Sequence, residues 1–289
     1  MTGFAYRNDG IHVRFNDPTW TWPTVNAGVL RLIEQHWSRI HLGSGLFDWR
    51  QMDEIMAVAA NRYFVVFSLF GTPRWASSRP DECWEGQSWT CGRMAPPVSL
   101  DSLREFITAL MTRYPSIEYV EGWNEPFDAP HHWTGTVDEL VAIQRTLYET
   151  VKSISPKVAV LSPPCSSTSV AFKLLNEFMG KARPYFDVVA HHFYAASPAH
   201  RARDVHTVRS FMAFHGIDGM ELWNTEFGFG DLTEYPPSVQ VEMVAGAFNQ
   251  MRQLGVRRNF FFIWNDPDSR MGIRDNQMII DSWNSGFVG

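Results

Sequence analysis

Short apolar runs alternate with longer amphipathic stretches along most of this chain. The apolar runs are rich in β-branched and aromatic residues and are nearly continuous rather than alternating. Such runs are typical of strands that are buried on both faces of a parallel sheet. We predict eight strands in this way, at residues 11–15, 29–33, 63–70, 117–123, 158–162, 186–194, 220–227 and 259–264.

The stretches between these runs place their apolar residues at helical spacing. The predicted helices cover residues 49–60, 100–114, 137–154, 170–179, 205–214 and 239–254. Eight strands alternating with helices favour an α/β fold, a single closed (β/α)₈ TIM barrel that takes up the 289 residues as one domain, residues 1–289. An open, doubly wound sheet is the alternative. It usually carries a glycine-rich phosphate turn after its first strand, and the similar string at residues 43–45 follows no clear strand-to-helix turn.

The two ends of the chain are the least regular part of the pattern. Residues 281–289 are too short and glycine-rich for a full eighth helix. We therefore expect either a barrel with a reduced eighth helix or a natural chain that continues further. The first residues lack the basic and apolar segments of a signal peptide, so the protein is expected to be cytoplasmic, or secreted or periplasmic if a signal was removed.

The net charge and the length of the apolar runs exclude some classes of partner, and the cysteines raise the question of a disulfide. The net charge is −6 and no apolar run reaches 18 residues, which argues against a nucleic-acid partner and against a membrane span. An acidic, aromatic-rich chain with no basic face fits an enzyme that acts on neutral sugars. Cys83 and Cys91 flank a loop rich in tryptophan and glycine, and they form either a disulfide or two free thiols, while Cys165 is expected to be buried without a partner.

Two glutamates lie where the active site of such a barrel is found. Active sites of (β/α)₈ barrels lie at the C-terminal ends of the strands. The fourth strand ends in Asn124-Glu125-Pro126, and the seventh ends in Thr225-Glu226. These two strands lie nearly opposite each other, so the carboxylates can face each other over a substrate. Two opposed carboxylates are what cleavage of a glycosidic bond requires, whereas a structural ion pair would explain a lone glutamate better.

With these motifs, the chain resembles the retaining glycoside hydrolases of clan A, and among them glycoside hydrolase family 39 most. The resemblance covers nearly the whole chain and includes residues 45–53 and 72–75. It is strongest at residues 124–126, which match the acid/base signature, and at residues 225–228, which match the nucleophile signature. It implies that Glu125 is the general acid and then the general base, with a pKa raised by burial and by a nearby carboxylate. Glu226 would be the nucleophile.

The resemblance also assigns supporting roles, which the residue types can be checked against. Arg31, inside the second strand, would pair with the nucleophile, since an arginine in a barrel strand is costly unless a carboxylate faces it. Asn124 would bind the 2-hydroxyl of the sugar. His192 and Tyr194 share one face of the sixth strand, and the tyrosine hydroxyl would orient Glu226.

Aromatic side chains are the expected platforms for sugar rings. Trp264, at the end of the eighth strand, would form the floor of the −1 sugar site. Trp75 and Trp133 are predicted to contact substrate, as are Trp84 and Trp89 in the longest connection. The alternative is that several of these rings only pack the loops together.

Metal and cofactor chemistry finds little support in the sequence. The histidine pairs at 131–132 and 191–192 lack the spacing of a zinc site, and we predict no metal and no cofactor. Glu118 and Glu121, earlier in the fourth strand, are expected to have structural or surface roles.

We therefore predict a retaining glycosidase that cleaves a polysaccharide or oligosaccharide by double displacement. A bare barrel with short rims favours endo action on an exopolysaccharide or plant-type glycan. An exo-acting, β-xylosidase-like glycosidase, a transglycosylase and a non-catalytic carbohydrate-binding barrel are the alternatives. The sugar, the linkage and the oligomeric state stay open.

Overall fold

A computed structural model of the chain describes residues 9–128, 131–194, 197–266 and 270–287. The first eight residues, on which the signal-peptide expectation rests, and residues 288–289 lie outside this range. Eight parallel strands close into a barrel in which each strand pairs with its neighbours in sequence and the first pairs with the last. All eight predicted strands are confirmed. They are β1 (Asp9–His12), β2 (Val29–Leu32), β3 (Phe64–Ser68), β4 (Ile117–Glu121), β5 (Ala159–Leu161), β6 (Val188–His192), β7 (Glu221–Phe227) and β8 (Arg258–Phe261).

Helices surround this barrel and confirm the predicted (β/α)₈ architecture. They are α1 (Arg50–Ala59), α2 (Leu100–Arg113), α3 (Val137–Ile154), α4 (Ser169–Ala182), α5 (Pro198–Phe214), α6 (Pro237–Gln253) and α7 (Gln277–Asn284). The helix after β8 has eight residues, so the expected reduction of the eighth helix is confirmed. Shorter helical turns lie in the loops, at Trp37–Ile40, Arg74–Ala76, Trp84–Gly86, Ser88–Thr90, Arg183–Tyr185 and Leu232–Glu234.

Two connections differ from the regular alternation of strands and helices. Residues 13–28, between β1 and β2, form no helix. Pro18 and Pro23 interrupt this segment, and the rings of Phe15, Trp20 and Trp22 pack against one another instead. After β2, a small antiparallel hairpin, His41–Gly43 with Leu46–Phe47, precedes α1.

The glycine-containing string at residues 43–45 is the turn of that hairpin. Gly45 has a φ of +70°, and its N–H donates to Glu105 Oε1 at 2.5 Å. The string connects two antiparallel strands and not a strand to a helix, as a phosphate-binding turn would. The interpretation of this string as an ordinary loop is therefore confirmed.

The barrel interior is apolar near the N-terminal ends of the strands and polar near their C-terminal ends. An inner cluster fills the half nearest the N-terminal ends of the strands, and it consists of Val29, Val66, Leu161, Val188, Ala190, Trp223 and Phe260. A larger core lies between the strands and the helices. Above the inner cluster, the strands turn charged and polar side chains inward, among them Arg31, Ser68, Glu121 and His192, all at most 1% exposed.

Cys83 and Cys91 form a disulfide in the loop between β3 and α2, and Cys165 is buried and free. Of the two possibilities left open by the sequence for Cys83 and Cys91, the structure shows the disulfide and not two free thiols. Among the described residues, no helix is both long enough and apolar enough to cross a membrane.

Candidate active site

Arg31 lies at the centre of the polar half of the barrel. Its Nη1 donates to Glu226 Oε2 at 2.8 Å, its Nε to Glu121 Oε2 at 2.7 Å, and its Nη2 to Asn124 Oδ1 at 2.7 Å. The Ser68 hydroxyl also donates to Glu121 Oε2, at 2.7 Å. Burial alone would lower the pKa of Arg31, but the charges of Glu121 and Glu226 outweigh it and raise that pKa. One guanidinium therefore positions two carboxylates and one amide.

Glu226 is held at both oxygens. Tyr194 donates its hydroxyl to Oε1 at 2.8 Å, opposite the contact that Arg31 makes with Oε2. Burial, followed by the charge of Glu226, raises the pKa of Tyr194 well above its usual value, so the hydroxyl stays a donor at neutral pH. The carboxylate is fixed in orientation before any substrate arrives.

A β-bulge turns Glu226 into the barrel. Trp223 belongs to the inner cluster, so strict alternation along β7 would point Thr225 inward and Glu226 outward. The pairing of β6 with β7 shifts instead, with His191 opposite Asn224 and His192 opposite Glu226. The extra residue in β7 lets both Trp223 and Glu226 face the interior.

Glu125 lies just beyond β4 in a left-handed backbone conformation, with a φ of 47°. Such a φ is strained for a residue with a side chain and persists only where the surroundings enforce it. Trp123 anchors this segment, since it is fully buried and its indole N–H donates to the carbonyl of His132 at 2.8 Å. Gly122 has no space for a side chain, because a Cβ would lie 2.4 Å from Gln144 Oε1.

Two histidines face the carboxylate of Glu125. His192 Nδ1 lies 2.8 Å from Oε1, and His132 Nδ1 lies 3.5 Å from Oε2. Burial acts to raise the pKa of Glu125. The hydrogen bond and charge of His192, followed by the charges of His132 and Arg31, outweigh burial and bring this pKa down to about 2. The predicted rise of this pKa is therefore wrong for the free protein, because a neighbouring carboxylate matters less here than the imidazole in direct contact.

Glu125, His192 and Glu226 converge on one point. One side-chain ligand atom from each of the three lies within 4.8 Å of the others. One oxygen of Glu125 and one oxygen of Glu226 therefore lie within 4.8 Å of each other. This close approach favours the shorter carboxyl separation of retaining enzymes over the roughly 6.5–9.5 Å of inverting ones. Asn124, whose Oδ1 is bonded to Arg31, can offer its amide nitrogen to a ligand at the same place.

The predicted aromatic platforms differ in exposure. Trp75 is 43% exposed on the rim, with its indole N–H bonded to the carbonyl of His41. Trp133 is 3% exposed and packs against Trp123, which favours a packing role. Trp264 is 2% exposed and donates its indole N–H to Thr21 Oγ1 at 3.2 Å. The Trp264 ring is thus almost entirely buried in the larger core, which favours a packing role, and its assignment to the −1 sugar site stays a prediction.

Three residues that the sequence reasoning did not place in the site complete it, although a structural role was expected for Glu121. Phe262, partly exposed just after β8, contacts the ring of His12 at a centroid distance of 5.3 Å. Glu121 is fully buried against Arg31, and the signal for it was a charged residue inside an apolar run. His132 reaches Glu125 from the loop after β4.

Comparison with known proteins places this geometry in context. Neither a protein-family model nor a curated protein matches the chain by sequence. Among solved structures, a glucosidase from Croceicoccus marinus superposes with a TM-score of 0.67 at 12% identity, over 83% of this chain and 54% of that one. A GH39 β-xylosidase from Caulobacter crescentus gives 0.67 at 17%, over 90% and 64%.

A GH30 endoxylanase from Clostridium papyrosolvens gives a TM-score of 0.64 at 14% identity, over 98% of this chain and 72% of that one. This chain has the barrel fold of these glycoside hydrolases. It spans about half to two-thirds of the length of the glucosidase and the β-xylosidase. At such identities the likeness shows the fold, and the chemistry has to be argued from the site.

Proposed function

We propose that this protein is a retaining glycosidase that cleaves a polysaccharide or oligosaccharide by double displacement, with residues 1–289 as its catalytic domain. The observation that carries the proposal is the convergence of the two carboxylates at the C-terminal ends of the strands, with one oxygen of Glu125 and one oxygen of Glu226 within 4.8 Å of each other. Retaining enzymes need about 5–5.5 Å between their carboxyl groups, and a longer gap would favour inversion.

In the first step, a carboxylate oxygen of Glu226 attacks the anomeric carbon as the glycosidic bond breaks. Arg31 and Tyr194 hold that carboxylate in place. The leaving oxygen takes a proton from the carboxyl group of Glu125, which has to be protonated in the substrate complex although its pKa is low in the free protein, and Glu125 becomes a carboxylate. His192 Nδ1 lies 2.8 Å from this carboxyl group and holds it in place. The product of this step is a glycosyl ester on Glu226 and a free alcohol.

In the second step, Glu125 acts as the base. It takes a proton from water, the water oxygen bonds to the anomeric carbon, and the carboxylate of Glu226 leaves. Asn124 would donate its amide N–H to the sugar 2-hydroxyl, a contact that strengthens as positive charge develops on the ring. Phe262 and Trp75 are two rings that can stack on sugar.

The substrates of the fold neighbours support a first choice of substrate class. Those neighbours include β-xylosidases, an endoxylanase and β-1,4-galactanases, so glycan panels should start with xylans and galactans. We propose endo action, with exo, β-xylosidase-like action as the second candidate, because two neighbours are β-xylosidases. The disulfide between Cys83 and Cys91 supports a secreted or periplasmic location.

The test is covalent trapping. A 2-deoxy-2-fluoro glycoside with a good leaving group should add one glycosyl unit to the protein, and peptide mass spectrometry should place it on Glu226. Glu226→Gln should abolish turnover and labelling but keep sugar binding.

Glu221→Gln is the matched control, since Glu221 begins the same strand at the opposite end of the barrel and is half-exposed. It should leave turnover and labelling unchanged. Turnover that survives in Glu226→Gln, or a product of inverted anomeric configuration, would refute the proposal. Sugar binding without turnover on any glycan would favour the non-catalytic barrel.

A further inference from the structure

A second cavity lies on the catalytic rim, in the loops that follow β1, β2 and β3. It has a volume of about 580 Å³, and its lining includes His36, Arg39, Arg74, Trp89 and Arg93. We call it the arginine cavity.

The rings of Phe70 and His132 lie between the arginine cavity and the catalytic Glu125. The guanidinium of Arg93 lies over the ring of Phe70 at 5.5 Å, and Phe70 contacts the ring of His132 at 5.6 Å. His132 in turn lies 3.5 Å from Glu125. The cavity and Glu125 are thus joined by a short chain of side-chain contacts, and we infer that a glycan of several sugars bound at Glu125 comes within reach of the cavity.

Arg93 is a buried cation without a carboxylate partner among the described residues. It is 7% exposed, and its Nε has no hydrogen-bond partner. Its Nη2 donates to His36 Nδ1, and its guanidinium lies 5.1 Å from the ring of Trp89. Burial and the charge of Arg39 lower the pKa of Arg93 to about 10, so it stays charged at neutral pH. Buried charges are normally paired, and this one lacks an anion.

The other charged groups facing the cavity leave this imbalance in place. Arg74 pairs with Asp81 at 2.6 Å, and Glu34 lies 3.6 Å from Arg14. Burial, then the charge of Arg93, lowers the pKa of His36 well below its usual value, so that imidazole is neutral.

Arg39 is exposed and donates only to the carbonyl of Glu34, at 3.4 Å, within the part of the chain that the structure describes. Glu34 also lines the cavity, and the charge of Arg39 acts to lower the pKa of Glu34 against the effect of burial. Arg93 is therefore the guanidinium of this cavity that lacks a carboxylate partner among the described residues, and Arg39 adds a second positive charge. The ring of Trp89, 64% exposed, lies beside them.

We propose that the arginine cavity is a subsite for a carboxylate-bearing sugar unit, such as a uronic acid, of the glycan that reaches the catalytic site. The inference rests on the proposed glycosidase function and names its substrate class. Guanidinium groups match a carboxylate in geometry and bind it through paired hydrogen bonds, and an exposed indole offers a face for the sugar ring. Because the net charge of the protein is −6, the attraction has to come from these local arginines.

The test compares one oligosaccharide with and without its charge. The probes are a glucuronic acid-substituted xylo-oligosaccharide and the same compound with its carboxyl group reduced to an alcohol. Calorimetry with Glu226→Gln, which should bind without turnover, should give a preference for the acidic form of about tenfold or more. Adding Arg93→Gln or Arg39→Gln should bring the ratio of the two dissociation constants close to one.

Arg270→Gln is the matched control, because Arg270 is an exposed arginine elsewhere on the rim that pairs with Asp231 at 3.1 Å. It changes the net charge equally and should keep the preference. An equal loss in Arg270→Gln would show a long-range charge effect and overturn the subsite. Arg39 is exposed, so Arg39→Gln keeps the test decisive if Arg93→Gln fails to fold.

The remaining outcomes separate this inference from the proposed function. Equal binding of the two probes, with turnover of neutral glycans, overturns the subsite alone. A clear preference for the acidic probe without turnover of any glycan overturns the hydrolase alone. Tighter binding of a sulfated xylo-oligosaccharide than of the glucuronate probe would refute the uronate assignment.

Discussion

The substitution Glu121→Gln should lower the free energy of unfolding in the protein that contains Arg31 and raise it in the Arg31→Met variant. Arg31 and Glu121 have no exposed side-chain surface, and Glu226 has 11%. One buried guanidinium thus compensates two carboxylates. Removing one carboxylate leaves the guanidinium paired with the other carboxylate. Removing the guanidinium leaves two buried carboxylates without a cation.

The magnitudes follow from the contacts. Breaking a buried ion pair costs about 3–5 kcal/mol, and Arg31→Met should lie at the upper end because it leaves two carboxylates without their cation. Glu121→Gln should cost about 2 kcal/mol, since its amide oxygen can still accept from Arg31 Nε while Glu226 keeps Nη1. In the Arg31→Met background, Glu121→Gln removes an uncompensated charge and should raise the unfolding free energy by about 1 kcal/mol. The coupling energy is then about 3 kcal/mol.

The assay is urea unfolding of the four proteins of this cycle, with unchanged slopes as the sign of an unchanged two-state transition. Glu118→Gln is the control, because Glu118 lies on the same strand but accepts from the backbone N–H of Val65 at 3.0 Å. It should show no coupling to Arg31. If Glu121→Gln destabilises both backgrounds equally, the shared-guanidinium argument is refuted.

Three further predictions concern the catalytic pair and the rim. Tyr194→Phe should lower kcat about 10- to 100-fold through the lost donor to Glu226, with an unfolding free energy changed by at most about 1 kcal/mol; unchanged kinetics would contradict the positioning role. The pKa of Glu125 is lowered from 4.5 to about 2, so its contribution to stability is complete above about pH 4.5 and is lost as the pH falls toward 2. Urea midpoints should therefore fall less between pH 6 and pH 3 in Glu125→Gln than in the unmodified protein, and parallel curves would contradict this. Replacing Cys83 and Cys91 together by serine should cost roughly 2–3 kcal/mol from the eight-residue separation, and reductant should then no longer shift the unfolding midpoint as it does in the unmodified protein.

The barrel was predictable because its strands are buried on both faces. That burial leaves continuous apolar runs, such as residues 63–70, which the structure shows as β3. The start of α5 was less predictable. The helix begins at Pro198, capped by Ser197, whereas its amphipathic pattern appears only from residue 205, because its first half is rich in arginine and histidine.

The positions of the two glutamates followed from motif and strand order, but their environments did not. Glu226 faces inward only because of the bulge in β7, and Glu125 has a left-handed backbone. Neither feature has a signal in the residue pattern. The direction of the pKa shift of Glu125 depends on whether a carboxylate or an imidazole lies nearest to it. The register of the strands determines which of the two is nearest, and the motif around Glu125 carries no information about this. Along β8, strand position suggested Trp264, whereas the half-exposed ring belongs to Phe262.

The net charge of the chain does not describe the charges at an individual binding site. A net charge of −6 without a basic run favoured a neutral glycan. That sum counts every arginine equally, whether or not a carboxylate lies beside it. The pairing in space differs: Arg74 has Asp81, whereas Arg93 is buried between two aromatic rings and a neutral imidazole. Because the field at a binding site depends on the nearest unpaired charges and is screened beyond about 8–10 Å, an acidic protein can hold a local site for an acidic sugar.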